Sequence, residues 1–452
     1  MIRDFTQGNE FKLLISFAIP LMGANLLQTV YNLVDMMVIG HFVGSVGLSA
    51  VSIGGDLLNL MTFLVMGFSS AGQVILSQYI GAGRRDKVNN TVGTLFTVLL
   101  ASAVALSVIC LIFVDNILGL MNTPAEAFAD ARAYSGVCIA GLVFVYGYNL
   151  VSAILRGMGD SKHPLLFIGV ATVINLVLDL LFVAVFQMGP FGTALATVIG
   201  QAVSFLWAVW YLYRNREAFS FDFKPRSFKP DREVLPILVK LGVPMSLQFG
   251  AIHFSLIFVR SFLNDYGVIV SAVTGIGSKL NSVAMVVTNA LTTAGSSMIG
   301  QNLGAEKYER VPRIIRVIMT VNVCFVTVLS LITVLFPKAV FGLFNNEAEV
   351  LEAALAYVPP AVLSFYGNGL RSPFFALING SGNSRLNLLV GLLDGLVCRI
   401  GLAYFLGVVI EMGIQGFWYG SSLAGYVPVI IGLIYYFSKT WRTKPRAIRK
   451  VI

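Results

Sequence analysis

Charged side chains are scarce in this chain, and so are the motifs of enzymes. Only 12% of its 452 residues are charged and 57% are hydrophobic, whereas soluble proteins typically have about 25% charged residues. The three histidines are scattered and no Walker A sequence occurs, so we expect neither catalysis nor ATP as the energy source. The four cysteines lie far apart without a CxxC pair, so the sequence predicts neither a disulfide framework nor a zinc site. We expect no cofactor.

The chain consists largely of long apolar segments. The mean hydropathy is +0.82, and segments of about 20 apolar residues, the length of a transmembrane helix, recur throughout. They predict an all-α polytopic membrane protein with twelve transmembrane helices, at about 12–39, 47–80, 88–113, 128–155, 164–187, 191–213, 234–263, 268–302, 312–336, 350–379, 386–410 and 412–437. The first segment is too long for a cleaved signal peptide.

The net charge of +9 is distributed in a way that argues against nucleic-acid binding. Lys and Arg cluster on alternate connections between the predicted helices, and the intervening loops contain only Lys338. This positive-inside pattern predicts a multi-pass protein of the inner (plasma) membrane with both termini in the cytoplasm. The cationic loops would contact anionic membrane lipids.

The two halves of the chain repeat one another. Gly157-Met-Gly-Asp-Ser161 returns as Gly380-Ser-Gly-Asn-Ser384, 223 residues later, and Pro20 returns as Pro244. Each half holds six predicted helices, so both copies enter the membrane in the same sense. They predict two pseudo-symmetric six-helix lobes related as a parallel repeat, the arrangement of some secondary transporters.

The repeat defines the predicted domains. We expect an N-lobe at 1–213, a polar and basic cytoplasmic linker at 214–232, a C-lobe at 233–440 and a basic cytoplasmic tail at 441–452. Phenylalanines within the linker indicate that it lies along the membrane surface. A substrate path between the lobes, exposed to alternate sides as they rock, would follow from this plan.

Two acids inside apolar helices mark the first half. Ionisable residues within the membrane are costly and are functional candidates by default. Asp35 shares a face of helix 1 with three cavity-lining candidates, Gln28, Tyr31 and Asn32, and Pro20 interrupts the same helix as a candidate hinge. Asp179 and Asn175 are four residues apart on helix 5, and Thr197 is on helix 6. Asp56 and Asn59 of helix 2 are further cavity candidates, although packing between helices explains them equally well.

If helix 1 packs beside helices 5 and 6, Asp35, Asn175, Asp179 and Thr197 form one oxygen-rich pocket. Two carboxylates in a low-dielectric pocket repel each other, so one of them should hold a proton readily. The same oxygens suit Na+. The alternatives are that Asp35 reaches the outer surface as a helix-end residue and that Asp179 makes only a structural hydrogen bond. The second half has Val259 and Leu402 at the positions that match the two acids.

Cationic residues mark the second half instead. They lie in or near apolar segments and, with one acid, form a predicted charge cluster: Arg260, Lys279, Arg371, Asp394 and Arg399. The simpler interpretation is charge pairing, with Asp394 neutralising Lys279 or Arg399. The alternative is that this lobe presents positive charge to an anionic part of a substrate.

The chain resembles the multidrug and toxic compound extrusion (MATE) family along nearly its full length. The resemblance rests on Arg-Gly-Met-Gly-Asp-Ser at 156–161, on Gln-Tyr-Ile-Gly-Ala-Gly at 78–83 with its echo at 301–305, and on the helix 1 stretch 28–35. Asp35, Asn175, Asp179, Thr197 and Pro20 match in spacing the N-lobe acid network and helix 1 proline of the DinF-like branch. The acids of the NorM-like branch in helices 7 and 10 are missing, and helix 10 carries Arg371 instead.

The resemblance implies a secondary antiporter rather than an enzyme. Such a protein exports small amphipathic organic compounds, often cations, in exchange for H+ or Na+ by alternating access. We expect a monomer that does not bind nucleic acid. The alternative within the same superfamily is a flippase or exporter of an anionic or lipid-linked substrate.

Overall fold

A computed structural model describes residues 3–442, and this part of the chain is helical without any β-strand. Its long helices, numbered here in chain order, are α1 (Glu10–Phe42), α2 (Ser45–Gly81), α3 (Arg85–Ile112), α4 (Ala125–Ala140 with Leu142–Gly157), α5 (Lys162–Val185), α6 (Gly189–Arg214), α7 (Val234–Asn264), α8 (Val268–Gly304), α9 (Tyr308–Leu335), α10 (Ala348–Gly380), α11 (Ser384–Val409) and α12 (Ile414–Phe437). Two short helices, Val114–Leu120 and Pro337–Gly342, follow α3 and α9.

The predicted fold class is confirmed. Eleven helices of the described chain are long and apolar enough to cross a membrane, and α4 completes the twelve when its two halves are counted as one span. The halves of α4 meet at an angle of 47°, which the apolar pattern did not predict. Gly141 occupies the break, and a Cβ atom there would lie 2.4 Å from Val198 Cγ2. The absence of a side chain therefore lets α6 approach the bend closely.

Irregular turns interrupt several helices. Pro20 lies inside α1 and Pro244 inside α7. The end of α5, Leu180–Val185, and the corresponding part of α11, Phe405–Val409, are wound as π-helix, and α11 has a second π segment at Leu392–Arg399. Such segments are rare and are frequent at functional sites.

The helices form two compact units, but each unit includes the beginning of a helix from the other copy of the repeat. One unit consists mainly of Ile19–Val243, and the other combines Phe5–Ala18 with the chain from Pro244 onward. The first residues of α1 therefore pack with the second copy, and the first residues of α7 pack with the first copy. The chain changes unit close to Pro20 and Pro244.

Corresponding ion pairs hold these exchanged helix beginnings in place. Glu10 of α1 lies 3.2 Å from the Arg310 guanidinium, and Glu233, just before α7, lies 2.7 Å from the Lys87 ammonium. Residues 10 and 233 are 223 positions apart, and so are residues 87 and 310. The N-terminal segment is also fixed by Phe5, whose N–H donates to Gln301 Oε1 at 2.9 Å and whose carbonyl accepts from Asn302.

The units differ in their limits from the predicted lobes, because they follow contacts rather than the sequence repeat. The predicted linker at 214–232 packs on α3 and belongs to the first unit. Of the predicted tail, Trp441 and Arg442 lie in a short turn, and residues 443–452 lie outside the described residues.

One apolar cluster of the first unit fixes the helices that carry the candidate acids. It joins α1, α2, α4, α5 and α6 through the buried residues Val38, Ile39, Val51, Tyr134, Cys138, Val183 and Ala194. Inside a membrane, buried apolar side chains hold helices together through close packing, because the lipid tails are equally apolar. It places the end of α1 against the end of α5 and the beginning of α6.

Candidate functional site

Three helices bring four of the predicted site residues together. Thr197 Oγ1 on α6 lies 3.5 Å from Asp35 Oδ2 on α1 and 3.4 Å from the side-chain amide of Asn175 on α5. In the amide orientation that satisfies its neighbours, Asn175 Nδ2 donates to Asp35 Oδ1 at 2.8 Å and to Asp179 Oδ2 at 3.3 Å. The amide thus bridges the two acids.

The acids are buried as well as close. Asp35 is 6% exposed and Asp179 is fully buried, and the same Asn175 nitrogen reaches both carboxyl groups. Asp179 is the last α-helical residue before the π segment of α5. The change of winding begins where this carboxyl group faces the site, so the irregular turn and the acid occur together.

Several oxygens around the acids have no hydrogen-bond partner among the described residues. They are Asp179 Oδ1, the Tyr31 hydroxyl and the Thr193 hydroxyl, all buried. Unsatisfied buried polar groups are rare and costly. A shared proton would satisfy a carboxylate oxygen, and a hard cation would suit this set of carboxylate, amide and hydroxyl oxygens. The arrangement can therefore hold an ion whose presence changes the local charge.

The polar face predicted on α1 is divided by the packing. Tyr31 and Asp35 are buried, whereas Gln28 and Asn32 are exposed. Asp56 and Asn59 on α2 are also exposed, so neither is part of the buried acid group. Pro20 is buried, fifteen positions before Asp35 in the same helix.

The sequence assigned no role to α4 or to Thr193, although both surround the acids. Tyr134 and Cys138 of α4 pack in the cluster that holds α1, and Tyr134 Cδ1 would lie only 2.3 Å from a Cβ atom at Gly54. Tyrosine, cysteine and threonine are ordinary residues of an apolar helix. The only available signal was the spacing of Thr193 and Thr197, four residues apart on one face of α6.

The second unit pairs its charges instead. Asp394 Oδ1 lies 2.7 Å from Arg399 Nη2, and Asp394 Oδ2 lies 3.7 Å from Arg371 Nη1. Asp394 is fully buried and Arg399 is 7% exposed. Arg260 donates to the Ser278 hydroxyl, and Lys279 is exposed. The structure thus separates the predicted cluster into two parts. Asp394, Arg399 and Arg371 form a buried triad joined by ion pairs. Arg260 and Lys279 are outer cations.

Corresponding positions of the two units carry different chemistry on the same framework. Asn175 and Arg399 are 224 positions apart, and so are Thr197 and Ser421. At this spacing Asp179 matches Ala403, which is 1% exposed, rather than the predicted Leu402. Asn175 contacts Thr197, and Arg399 donates to the Ser421 carbonyl at 3.0 Å. At the position that matches Asp35, the second unit has Val259, which is 4% exposed within an apolar cluster.

Comparison with known proteins gives consistent matches over both copies. The sequence profile of the MatE family matches residues 20–181 and again 244–405. The probable multidrug resistance protein YoeA of Bacillus subtilis is 30% identical over 95% of this chain and 93% of its own. The multidrug export protein MepA of Staphylococcus aureus is 24% identical over 87% of this chain and 86% of its own.

A solved structure has the same fold. It is described as the outward-facing conformation of a multidrug resistance MATE family transporter of the MOP superfamily, and it superposes with a TM-score of 0.89 at 23% identity. The match covers 96% of this chain and 97% of the other.

Proposed function

Because this chain belongs to the MATE family, we propose that it exports amphipathic organic cations across the cell membrane in exchange for H+ or Na+. The chain is a multi-pass membrane transporter of that family and not an enzyme. Its relatives are named multidrug resistance and multidrug export proteins. These names support small organic compounds as the substrates of this chain as well.

The observation that carries the proposal is the buried pair Asp35 and Asp179, bridged by Asn175. Two carboxylates this close in a low-dielectric site repel each other. Either one of them holds a proton, or a cation balances their charge. An ion entering from outside would therefore change the charge of the site. Asp35 and Asp179 are the coupling residues, and Asn175 and Thr197 orient them.

Ion binding at the acids would act on α1, because Asp35, one of the two acids, belongs to that helix. The same helix changes unit near Pro20. A bend at this proline would convert a local change of charge into movement of the helix, and the energy available is the difference in ion affinity between the two conformations. Pro20 is the hinge in this mechanism.

Substitution of Asp35 in proteoliposomes tests the proposal. In Asp35→Asn the site cannot release or bind the coupling charge, so gradient-driven movement of an ethidium-like cation should fall to the level of empty liposomes. Asp115→Asn is the matched control, since Asp115 is an exposed acid of the same unit that pairs with Arg132. The control should transport at the wild-type rate.

Separate gradients identify the coupling ion. Vesicles with an imposed pH gradient and no Na+ gradient are compared with vesicles that have only the Na+ gradient. The gradient that drives dye movement in the wild type and fails in Asp35→Asn identifies the ion. Wild-type dye export by Asp35→Asn, in a variant that elutes as a folded protein, would refute the coupling role of the acid pair.

Export of an anionic or lipid-linked substrate is the second candidate. It is favoured by Arg371 and Arg399, which share the single acid Asp394 and leave the buried triad with one excess positive charge. Arg371→Gln separates the two functions, because Arg399 still neutralises Asp394. The variant should keep cation export if the acid pair drives it, and it should lose transport of an anionic substrate if the triad binds one.

We propose that the protein resides in the inner (plasma) membrane with both termini in the cytoplasm, and that it acts as a monomer. The alternation of loops rich in Lys and Arg with loops that contain only Lys338 supports the orientation.

A further inference from the structure

The connection between α6 and α7 is built onto the beginning of α3. Asn89 Nδ2 donates to the Ser227 hydroxyl at 3.2 Å, and the Thr97 hydroxyl donates to the Phe228 carbonyl. A Cβ atom at Gly93 would lie 1.7 Å from the Ser227 carbonyl oxygen, so glycine is needed for the two backbones to touch. The connection is thus a fixed part of the first unit.

A polar cleft of about 390 Å³ opens where this connection meets α3. The two acids that line it are already satisfied. Glu233 pairs with Lys87, and Asp231 accepts hydrogen bonds from Asn90 at 2.7 Å and from the N–H groups of residues 233 and 234.

Three cations of the same cleft remain, namely Arg226, Lys229 and Arg232. All three are exposed, and none pairs with an acid among the described residues. The cleft therefore presents an excess of positive charge, which suits an anion.

An apolar groove of about 560 Å³ runs along α3 from the edge of the cleft. Phe228 lines this groove and directly follows Ser227 of the cleft in the chain, so the two cavities adjoin. Thr97, Ala101 and Ala105 follow at intervals of four residues on one face of α3, and their small side chains leave a shallow channel. Since α3 is a membrane-spanning helix, the groove lies at the depth of lipid chains.

We propose that the cleft and groove together bind one anionic phospholipid. The phosphate lies among Arg226, Lys229 and Arg232, and one acyl chain lies along Thr97, Ala101 and Ala105. Charge complementarity selects an anionic headgroup, because basic residues at the membrane surface attract anionic lipids. The adjoining groove selects a phospholipid over a free phosphate ion, which would fill the cleft alone.

Lipid affinity of the purified full-length protein tests the headgroup site. Native mass spectrometry titrations compare phosphatidylglycerol with phosphatidylcholine for the wild type and for Arg226→Gln/Lys229→Gln/Arg232→Gln. The triple variant should bind phosphatidylglycerol at least about tenfold more weakly and phosphatidylcholine unchanged. The matched control is Arg214→Gln/Arg216→Gln/Lys224→Gln, which removes the same charge from the same region outside the cleft. An equal loss in the control would overturn the proposal, since general surface charge would then explain binding.

The groove is tested by filling it. Ala101→Phe should weaken phosphatidylglycerol binding, whereas Val108→Phe, one turn beyond the groove on an exposed position of α3, should not. Inorganic phosphate is added as a competitor to the wild type and should displace little lipid. Full displacement by phosphate, or wild-type lipid affinity in folded Ala101→Phe, would show a simple anion site and refute the bound phospholipid.

Discussion

At the scale of single residues, Asn175 and Arg399 are 224 positions apart and contact buried acids with different chemistry. The Asn175 amide is neutral and does not balance the charge of Asp35 and Asp179, which is the role of the ion in the proposed mechanism. The Arg399 guanidinium instead pairs with Asp394 at 2.7 Å and balances its charge. In the proposed mechanism, the charge of the first unit would therefore change with ion binding, whereas the charge of the second would stay constant.

Arg399→Gln should destabilise the protein, because it removes the nearest partner of a fully buried acid. Breaking a buried pair by removing one member typically costs about 3–5 kcal/mol, and Arg371 at 3.7 Å keeps the loss at the lower end. Thermal unfolding of the detergent-purified variant measures it. The double variant Arg399→Gln/Asp394→Asn should recover most of the loss, and Arg260→Gln, an exposed cation of the same unit, should unfold like the wild type. Unchanged unfolding of Arg399→Gln would contradict the pairing.

The acids could be predicted from the sequence, and most of their surroundings could not. Asp35 and Asp179 are conspicuous because a carboxylate in an apolar helix is costly, and the four-residue spacing placed Asn175 beside Asp179. The sequence left Lys279 and Arg399 as alternative partners of Asp394, and the structure selects Arg399. The second contact of Asp394, with Arg371, depends on how α10 packs against α11, which no spacing reveals. Tyr31 was predicted to line the cavity, whereas Thr193 becomes notable only because its hydroxyl group is buried without a partner.

At the scale of helices, length and composition predicted the number of spans but not their irregularities. The apolar segments gave twelve helices, because hydrophobic length is what a bilayer selects. The break of α4 at Gly141 and the π segments of α5 and α11 depend on contacts with neighbouring helices. The exchange of the first turns of α1 and α7 depends on the fold of the other copy.

The position of Pro20 within α1 leads to a prediction about helix bending. Proline removes one backbone hydrogen bond of the helix, and the chain changes unit within two residues of it. Pro20→Ala should restore that bond, straighten α1 and slow dye export while the protein stays folded. Spin labels at the exposed positions Phe11 and Met37, on either side of the proline, should report a narrower range of distances.

A proline at a helix beginning provides the control. Pro190 lies in the first turn of α6, where the missing N–H has no helical partner to lose, so Pro190→Ala should transport at the wild-type rate. An equal distance range in wild type and Pro20→Ala would show that α1 does not bend there. Pro244→Ala should behave like Pro20→Ala, because Pro244 stands at the matching change of unit in α7.

At the scale of the whole molecule, duplication has produced a reciprocal exchange. Each unit holds the beginning of a helix that continues in the other, and each beginning is fastened by an ion pair at corresponding positions, Glu10 with Arg310 and Glu233 with Lys87. If α1 and α7 bend at their prolines during transport, these fastenings keep the two first segments attached to their units while the rest of each helix moves. The symmetry of the repeat thus provides two matched anchors.

The two anchors should act independently, which gives a crossed pattern in hydrogen exchange. Glu10→Gln should speed amide exchange at residues 5–18 about threefold to fivefold, as expected for an ion pair worth up to about 1 kcal/mol, and leave residues 234–243 unchanged. Glu233→Gln should speed amide exchange at residues 234–243 and leave residues 5–18 unchanged. This effect should be smaller, since Glu233 is 59% exposed and Glu10 only 13%.

A double-mutant cycle isolates the pair of Glu10 with Arg310 from the hydrogen bond that Arg310 also donates to the Gly8 carbonyl. Glu10→Gln and Arg310→Gln should be less than additive, because each removes the same interaction. Arg313→Gln is the control, since Arg313 is 3.7 Å from Glu10 and largely exposed, and it should change exchange little. Strict additivity of Glu10→Gln with Arg310→Gln would show that the helix beginnings are held by packing rather than by these charges. Faster exchange of both segments in either single variant would show that the two anchors do not act independently.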